Sequence, residues 1–171
     1  MNITCYSQEK KDIELTISGG PADMGGITGY SIQNDLSAPF HRYLGLSMSL
    51  TYATAYDGLK NSAVVNPASG DMHHETLLSA QFSLYFTPYH TTNHYAYLGG
   101  GAGINHHVIS QSSGSGSAYS LDNHVDTGFG PNLAFGYDYT FEEGIVLGIK
   151  GMGIYSLDWV NMVLIRLGYR L

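Results

Sequence analysis

The sequence predicts an all-β fold, an eight-stranded antiparallel up-and-down transmembrane β-barrel, on three observations. Apolar residues recur at every second position over long stretches. In the last stretch Val163, Ile165, Leu167, Tyr169 and Leu171 alternate with Leu164, Arg166, Gly168 and Arg170, and period two puts each set on one face of a strand. The second observation is the make-up of the other face. Gly45, Ser47, Ser49, Thr51 and Ala53 stand against Leu44, Leu46, Met48, Leu50 and Tyr52; such small residues suit a narrow lumen, which leaves the apolar set facing lipid. The third is charge: 12% of residues are charged against 43% hydrophobic, about half the charge of an ordinary soluble domain.

Each strand follows from the same alternation. The first covers residues 12–18, with Ile13, Leu15 and Ile17 outward and Glu14 and Thr16 inward. Gly19-Gly20-Pro21 through Gly25-Gly26 reads as a turn. The second covers residues 27–33, with Tyr30 and Ile32 outward, and residues 34–39 turn the chain into a third over residues 40–56. A loop over residues 57–72 holds Asn66-Pro67 and Ser69-Gly70-Asp71. The fourth, residues 74–86, sets Leu78, Ala80, Phe82, Leu84 and Phe86 against Ser79, Gln81, Ser83 and Tyr85. Residues 88–94 turn, and the fifth, residues 95–109, carries Gly99, Gly101, Gly103 and Asn105 on one face. Residues 110–122, low in complexity through Ser112-Ser113-Gly114-Ser115-Gly116-Ser117, read as a mobile loop. The sixth, residues 124–139, sets Phe129, Leu133, Phe135, Tyr137 and Tyr139 outward. A tight turn at Phe141-Glu142-Glu143-Gly144 leads to the seventh, residues 145–155, and the eighth, residues 159–171.

An even strand number puts both termini on one side, and the two long connections then fall on the opposite side from the short turns. Aromatics sort by strand end: Phe86, Tyr89, Tyr95, Tyr137, Tyr139, Phe141 and Tyr169 toward the terminal side, Tyr52, Tyr56, Tyr155 and Trp159 toward the other. Two belts mark two membrane interfaces. The 171 residues make one domain, with residues 1–11 a flexible tail and 12–171 the barrel. Cys5 is the sole cysteine and reads as a free thiol in that tail. No apolar run of signal-peptide or membrane-helix length is present, so the chain reads as a mature form. A net charge of −7 with seven Lys and Arg speaks against a nucleic-acid partner.

The eight alternating strands ending in Leu167-Gly168-Tyr169-Arg170-Leu171 resemble the small OmpX/OmpA-type outer-membrane barrels. Tyr97-Leu98-Gly99-Gly100-Gly101-Ala102-Gly103-Ile104 resembles the glycine-rich central strand of that group. The resemblance is architectural and spans nearly the whole chain. It implies the outer membrane of a Gram-negative bacterium, periplasmic termini, contact with outer-membrane lipids, and insertion by the barrel assembly machinery. That machinery would read Leu167, Gly168, Tyr169 and Leu171, although the group usually ends in Phe and this chain ends in Leu171. The group includes adhesins, anchors, small channels and enzymes, so it fixes no function.

Parity places Glu14, Gln81, Asn105, Asn132, Asp138, Lys150, Arg166 and Arg170 in the lumen. Three cations and two carboxylates in so narrow a space must pair, since a lone buried charge is very costly. Glu14 is expected beside Arg166 or Arg170 where the first and last strands close the barrel. Histidine is the second candidate chemistry. With a hairpin centred near Ser115-Gly116, His107 lies across from His124, and Asp126, His73 and Glu75 share its parity; a His/Asp/Glu cluster of this kind binds Zn²⁺ or Cu²⁺. Lipid deacylation by some barrels of the group needs a lipid-facing His, Ser and acid. The closest approach, His106-His107-Val108-Ile109-Ser110, has the wrong spacing for one face. The leading expectation is a non-enzymatic scaffold or accessory subunit without a cofactor, meeting a partner through its long loops or its lipid-facing wall. Another outer-membrane protein fits at the low patch left by Gly100 and Ala102. The alternative is a small channel past Lys150 and Arg166, with a lipid hydrolase ranked third.

Overall fold

A computed structural model describes residues 13–57, 72–115 and 118–171. It has strands β1 (Glu14–Met24), β2 (Ile27–His41), β3 (Leu44–Tyr56), β4 (Met72–His90), β5 (His94–Ser115), β6 (Ala118–Thr140), β7 (Ile145–Tyr155) and β8 (Trp159–Arg170). Each is antiparallel to the next, and β1 pairs with β8 to close the barrel. The expected tail over residues 1–11 lies outside the described residues, as do the centre of the connection between β3 and β4 and the tip between β5 and β6.

Burial is inverted relative to a soluble protein. Ile165 is 67% exposed while Gln33 is fully buried, and the exposed apolar side chains form a continuous outer wall suited to lipid. Tyr155 and Trp159, with ring centroids 5.7 Å apart, stand at the end of that wall away from the termini, here the far end. Near the terminal end, Tyr139 packs edge-on against Phe141 at 4.8 Å.

Three sequence expectations are corrected. Gly19, Gly20 and Pro21 continue β1, and the chain turns at Gly25-Gly26, both with positive φ (59° and 88°). The left-handed region is open to glycine without a Cβ penalty, and Asp23 Oδ1 accepts the Gly26 N–H at 3.1 Å to fix the turn. Residues 34–39 do not turn either. β2 runs on to His41, and its alternation persists through buried Gln33 and Asp35 against exposed Asn34 and Leu36. The third correction is the supposed loop over residues 110–122. Ladder pairing extends from His94↔Tyr139 to Ser115↔Ala118, because a Ser/Gly-rich hairpin can keep its backbone bonds without a hydrophobic face.

β5 and β6 have 22 and 23 residues, β7 and β8 only 11 and 12. A tilted strand crosses a bilayer in about 9–11 residues, so the β5–β6 hairpin stands well beyond the far interface. β6 pairs with β7 only from Asn132↔Ile154 to Thr140↔Val146. Residues 118–131 therefore have β5 as their single strand neighbour among the described residues.

The lumen has two halves. Toward the termini the inward residues are mostly polar, with buried Val146 an exception. Toward the far end Ala22, Met24, Ala53, Ala55, Leu77, Met152, Ile154, Val160, Met162 and Leu164 pack into one buried apolar cluster. The sequence reading expected a polar lumen. The inward set of β8 changes with height, from Arg170, Gly168 and Arg166 to Leu164, Met162 and Val160, all inward by parity.

Candidate functional site

The charged residues in the polar half of the lumen come from β1, β2, β6, β7 and β8. Glu14 lies between two guanidinium groups, accepting from Arg170 Nη2 at 2.7 Å and from Arg166 Nη2 at 3.4 Å. The closing pair of strands causes this directly, since Glu14 is the register partner of Arg170 and Arg166 sits four residues deeper on the same face. Arg166 also donates to Thr16 Oγ1 at 3.0 Å, to Tyr97 Oη at 2.6 Å and to Asp138. Arg170 and Arg166 lie over the rings of Tyr95 and Tyr97, 4.1 and 5.3 Å from the centroids, adding cation–π attraction.

Deeper in the lumen, Lys150 Nζ donates to Asp35 at 3.0 and 3.2 Å and to Gln33 Oε1 at 2.8 Å. Gln33 passes the network on, donating to Thr51 Oγ1 at 2.6 Å. On the opposite wall Gln81 donates to Asn105 and Ser79, each at 2.7 Å, and accepts from Asn132 at 2.6 Å. Arg166, Arg170 and Lys150 thus face Glu14, Asp35 and Asp138 in a charge-balanced group. Balance and close hydrogen bonding are what allow charges to be held out of water.

All eight lumen residues read from the sequence point inward. The sequence reading missed Gln33, Asp35 and Tyr97. Asp35 is the consequential omission, because it answers Lys150, and it was hidden by assigning residues 34–39 to a turn. The alternation Ser31, Gln33, Asp35, Ser37 was the signal that exposes it.

A cavity of about 860 Å³ opens at the terminal end, between the turns at Arg42, Asn93 and Glu142, and reaches inward to Lys150, Met152 and Arg166. The apolar cluster closes it off from the far end. The inward glycines do not enlarge it. A Cβ on Gly101 would run into the Phe82 carbonyl oxygen and one on Gly103 into that of Ala80, so these positions are occupied by the neighbouring strand's backbone. Outside, the Gly100 position is shallower than expected, because Leu133 Cδ2 would lie 3.2 Å from an added Cβ.

The histidine group assembles only in part. Glu75 accepts from His73 Nε2 at 2.7 Å and from His107 Nε2 at 3.2 Å, near the far end of the lumen. The hairpin register differs by two residues from the expected one: His107 faces Asp126, and His124 faces Ile109. His124 is exposed on the projecting hairpin. Among the described residues no three His, Cys, Asp or Glu side chains converge as a metal site. On the outer wall His106 Nδ1 and Thr127 Oγ1 are 2.8 Å apart, and His74 Nε2 and Thr54 Oγ1 2.9 Å. Neither imidazole is hydrogen-bonded to a carboxylate among the described residues. At the end of β8, Leu167, Tyr169 and Leu171 face outward, while Gly168 sits where a Cβ would meet Thr16 and the Leu15 carbonyl.

No family model matches the sequence, and no curated protein matches it. Solved structures do. Neisserial surface protein A matches with a TM-score of 0.57 at 14% identity, covering 94% of this chain and 95% of that one. Ail, the attachment invasion locus protein of Yersinia pestis, solved with the heparin analogue sucrose octasulfate, matches at 0.55 and 14% identity over 94% and 97%. A de novo designed transmembrane β-barrel matches at 0.55 and 12% identity over 96% and 98%. A designed protein among the matches shows how little this architecture says about activity. The chain has the fold of the small eight-stranded outer-membrane β-barrels.

Proposed function

We propose that this chain is a non-enzymatic scaffold or accessory subunit of a Gram-negative outer membrane, with periplasmic termini and insertion by the barrel assembly machinery. The observation that carries the reading is the pairing of a lumen closed by its apolar cluster with a β5–β6 hairpin twice the length a bilayer requires. A hairpin held in register that far from the membrane presents a surface, and surfaces held on rigid scaffolds are where partners bind. The partner is a protein or a polar surface. Ail was solved with a polyanion mimic, but here the net charge of −7 and the exposed Asp122 oppose a polyanion.

Crosslinking in native membranes followed by detergent purification tests this. A partner copurifying with the full barrel, and lost when the β5–β6 hairpin is shortened by joining Asn105 to Gly128 through a two-residue turn, is the expected outcome. A barrel that never copurifies with anything would sink the scaffold reading.

The small-channel reading has one observation in its favour, the 860 Å³ cavity lined by Lys150 and Arg166. It requires the apolar cluster to open, which bilayer recordings decide.

A further inference from the structure

We infer that the cup at the terminal end of the lumen is a binding site for a neutral, hydroxyl-rich solute of di- or trisaccharide size. The inference goes beyond the scaffold reading and stands without it. The cavity of about 860 Å³ falls within the range of about 300–1,000 Å³ typical of small-molecule sites. The apolar cluster closes its inner end, so a solute that enters is held and not passed on. Its wall has two kinds of chemistry. Ser37, Ser47, Tyr85, Thr87, Tyr95 and Thr140 line it with hydroxyls from β2 round to β6. The charged groups reach it from β1, β7 and β8, with Asp35 and Asp138 at the two borders.

Charge balance selects the class of ligand. Lys150 is answered by Asp35, Arg166 by Asp138 and Arg170 by Glu14. A charged solute would have to break one of these pairs to find a counter-charge, which is costly out of water. Arg42, Glu142 and Glu143 stand exposed at the mouth, where salt screens them. A wholly apolar solute would strip water from the hydroxyls and return no hydrogen bond. Thr140 already has a buried Oγ1 without a partner among the described residues. A sugar meets both demands. Its hydroxyls donate and accept as those of Ser, Thr and Tyr do, and its C–H face packs on the electron-rich face of an aromatic ring. Tyr85 supplies that ring. A Cβ on Gly45 would run into it, and the two residues are register partners on β3 and β4. The ring therefore leans over glycine backbone on the adjacent strand and leaves the cup open in front of it. Arg166 and Arg170 lie over the rings of Tyr97 and Tyr95, while among the described residues no cation covers Tyr85.

The test uses the whole barrel in nanodiscs, which leave both ends open to solution. The probes are neutral disaccharides and trisaccharides of glucose, galactose, mannose and N-acetylglucosamine. Saturation-transfer NMR ranks them, and titration calorimetry measures the strongest, with a Kd of about 1 mM or tighter expected. Tyr85→Ala is expected to weaken that binding about tenfold, the worth of a stacked ring, and Tyr85→Phe, which keeps the ring, to weaken it less. Ser47→Phe, which fills the cup from β3, is expected to abolish it. The heat-dependent gel shift shows which variants are folded, and if Tyr85→Ala is not, Ser47→Phe decides. A glucosamine disaccharide and a galacturonate disaccharide serve as cationic and anionic counterparts and are expected to bind more weakly than the best neutral probe. Tighter binding of either charged sugar would overturn the inference, as would failure of every neutral probe to bind. Neutral binding that survives unchanged in folded Ser47→Phe would place the sugar outside the cup and overturn it too.

Discussion

Glu14, Asp35 and Asp138 each answer a cation in the lumen, but they are not equivalent. Asp35 is the carboxylate on Lys150, with Gln33 as the only other acceptor shown. Glu14 shares its load, because Arg166 retains Asp138 and Arg170 retains the Tyr95 ring. Breaking a buried pair by removing one partner costs about 3–5 kcal/mol, since the surviving charge is stranded. Asp35→Asn is therefore expected to lie in that range. Glu14→Gln should cost less, and Glu142→Gln in an exposed turn should stay within about 0.5 kcal/mol. Denaturant unfolding in detergent, followed through Trp159, measures all three. Equal small effects at Asp35 and Glu142 would show that Lys150 is not held by Asp35.

At the scale of the element, alternation was readable wherever side chains decide the strand. It placed each of the eight lumen residues it named on the inward face, Glu14 and Arg166 included. It failed where backbone decides. Gly19-Gly20-Pro21 has turn composition, yet the chain turns four residues later, where two glycines accept positive φ and Asp23 supplies the acceptor. Residues 110–115 and 118–122 have loop composition, yet they pair, because ladder bonds need no hydrophobic face. The two-residue error in hairpin register followed from the centre chosen for that turn, and it alone put His124 opposite His107. The inward glycines of β5 leave no open space, because the backbone of β4 fills it. Gly101→Ala is accordingly expected to destabilise the barrel by about 1–3 kcal/mol, the cost of overpacking. Gly25→Ala, forced into the left-handed region, should cost about 1–2 kcal/mol. Urea midpoints in micelles read both. A Gly101→Ala barrel as stable as its parent would mean that β4 and β5 can separate at that point without penalty.

For the whole molecule, the decisive arrangement is a charged, water-accessible cup below an apolar cluster. Met24, Leu77, Ile154 and Leu164 are fully buried across the far half of the lumen, contributed by β1, β4, β7 and β8. An ion leaving the Arg166 level would have to enter this layer without its hydration shell, and transferring a charge into apolar surroundings is prohibitive unless it is paired there. No cluster residue offers a counter-charge, and the carboxylate at that end, Glu75, is already engaged by His73 and His107. Planar-bilayer recording of the purified protein is thus expected to show no discrete conductance steps. Thinning the cluster should change that. Leu77→Ala and Leu164→Ala each remove a large side chain from a tightly packed layer, costing about 2–5 kcal/mol apiece. The gel shift of the double variant shows whether it is folded. Folded double-variant barrels should give small steps, and restoring bulk with Leu77→Phe should silence them. Steps of the same size in the unmodified protein would show that the apolar layer opens on its own, and the channel reading would then displace the scaffold.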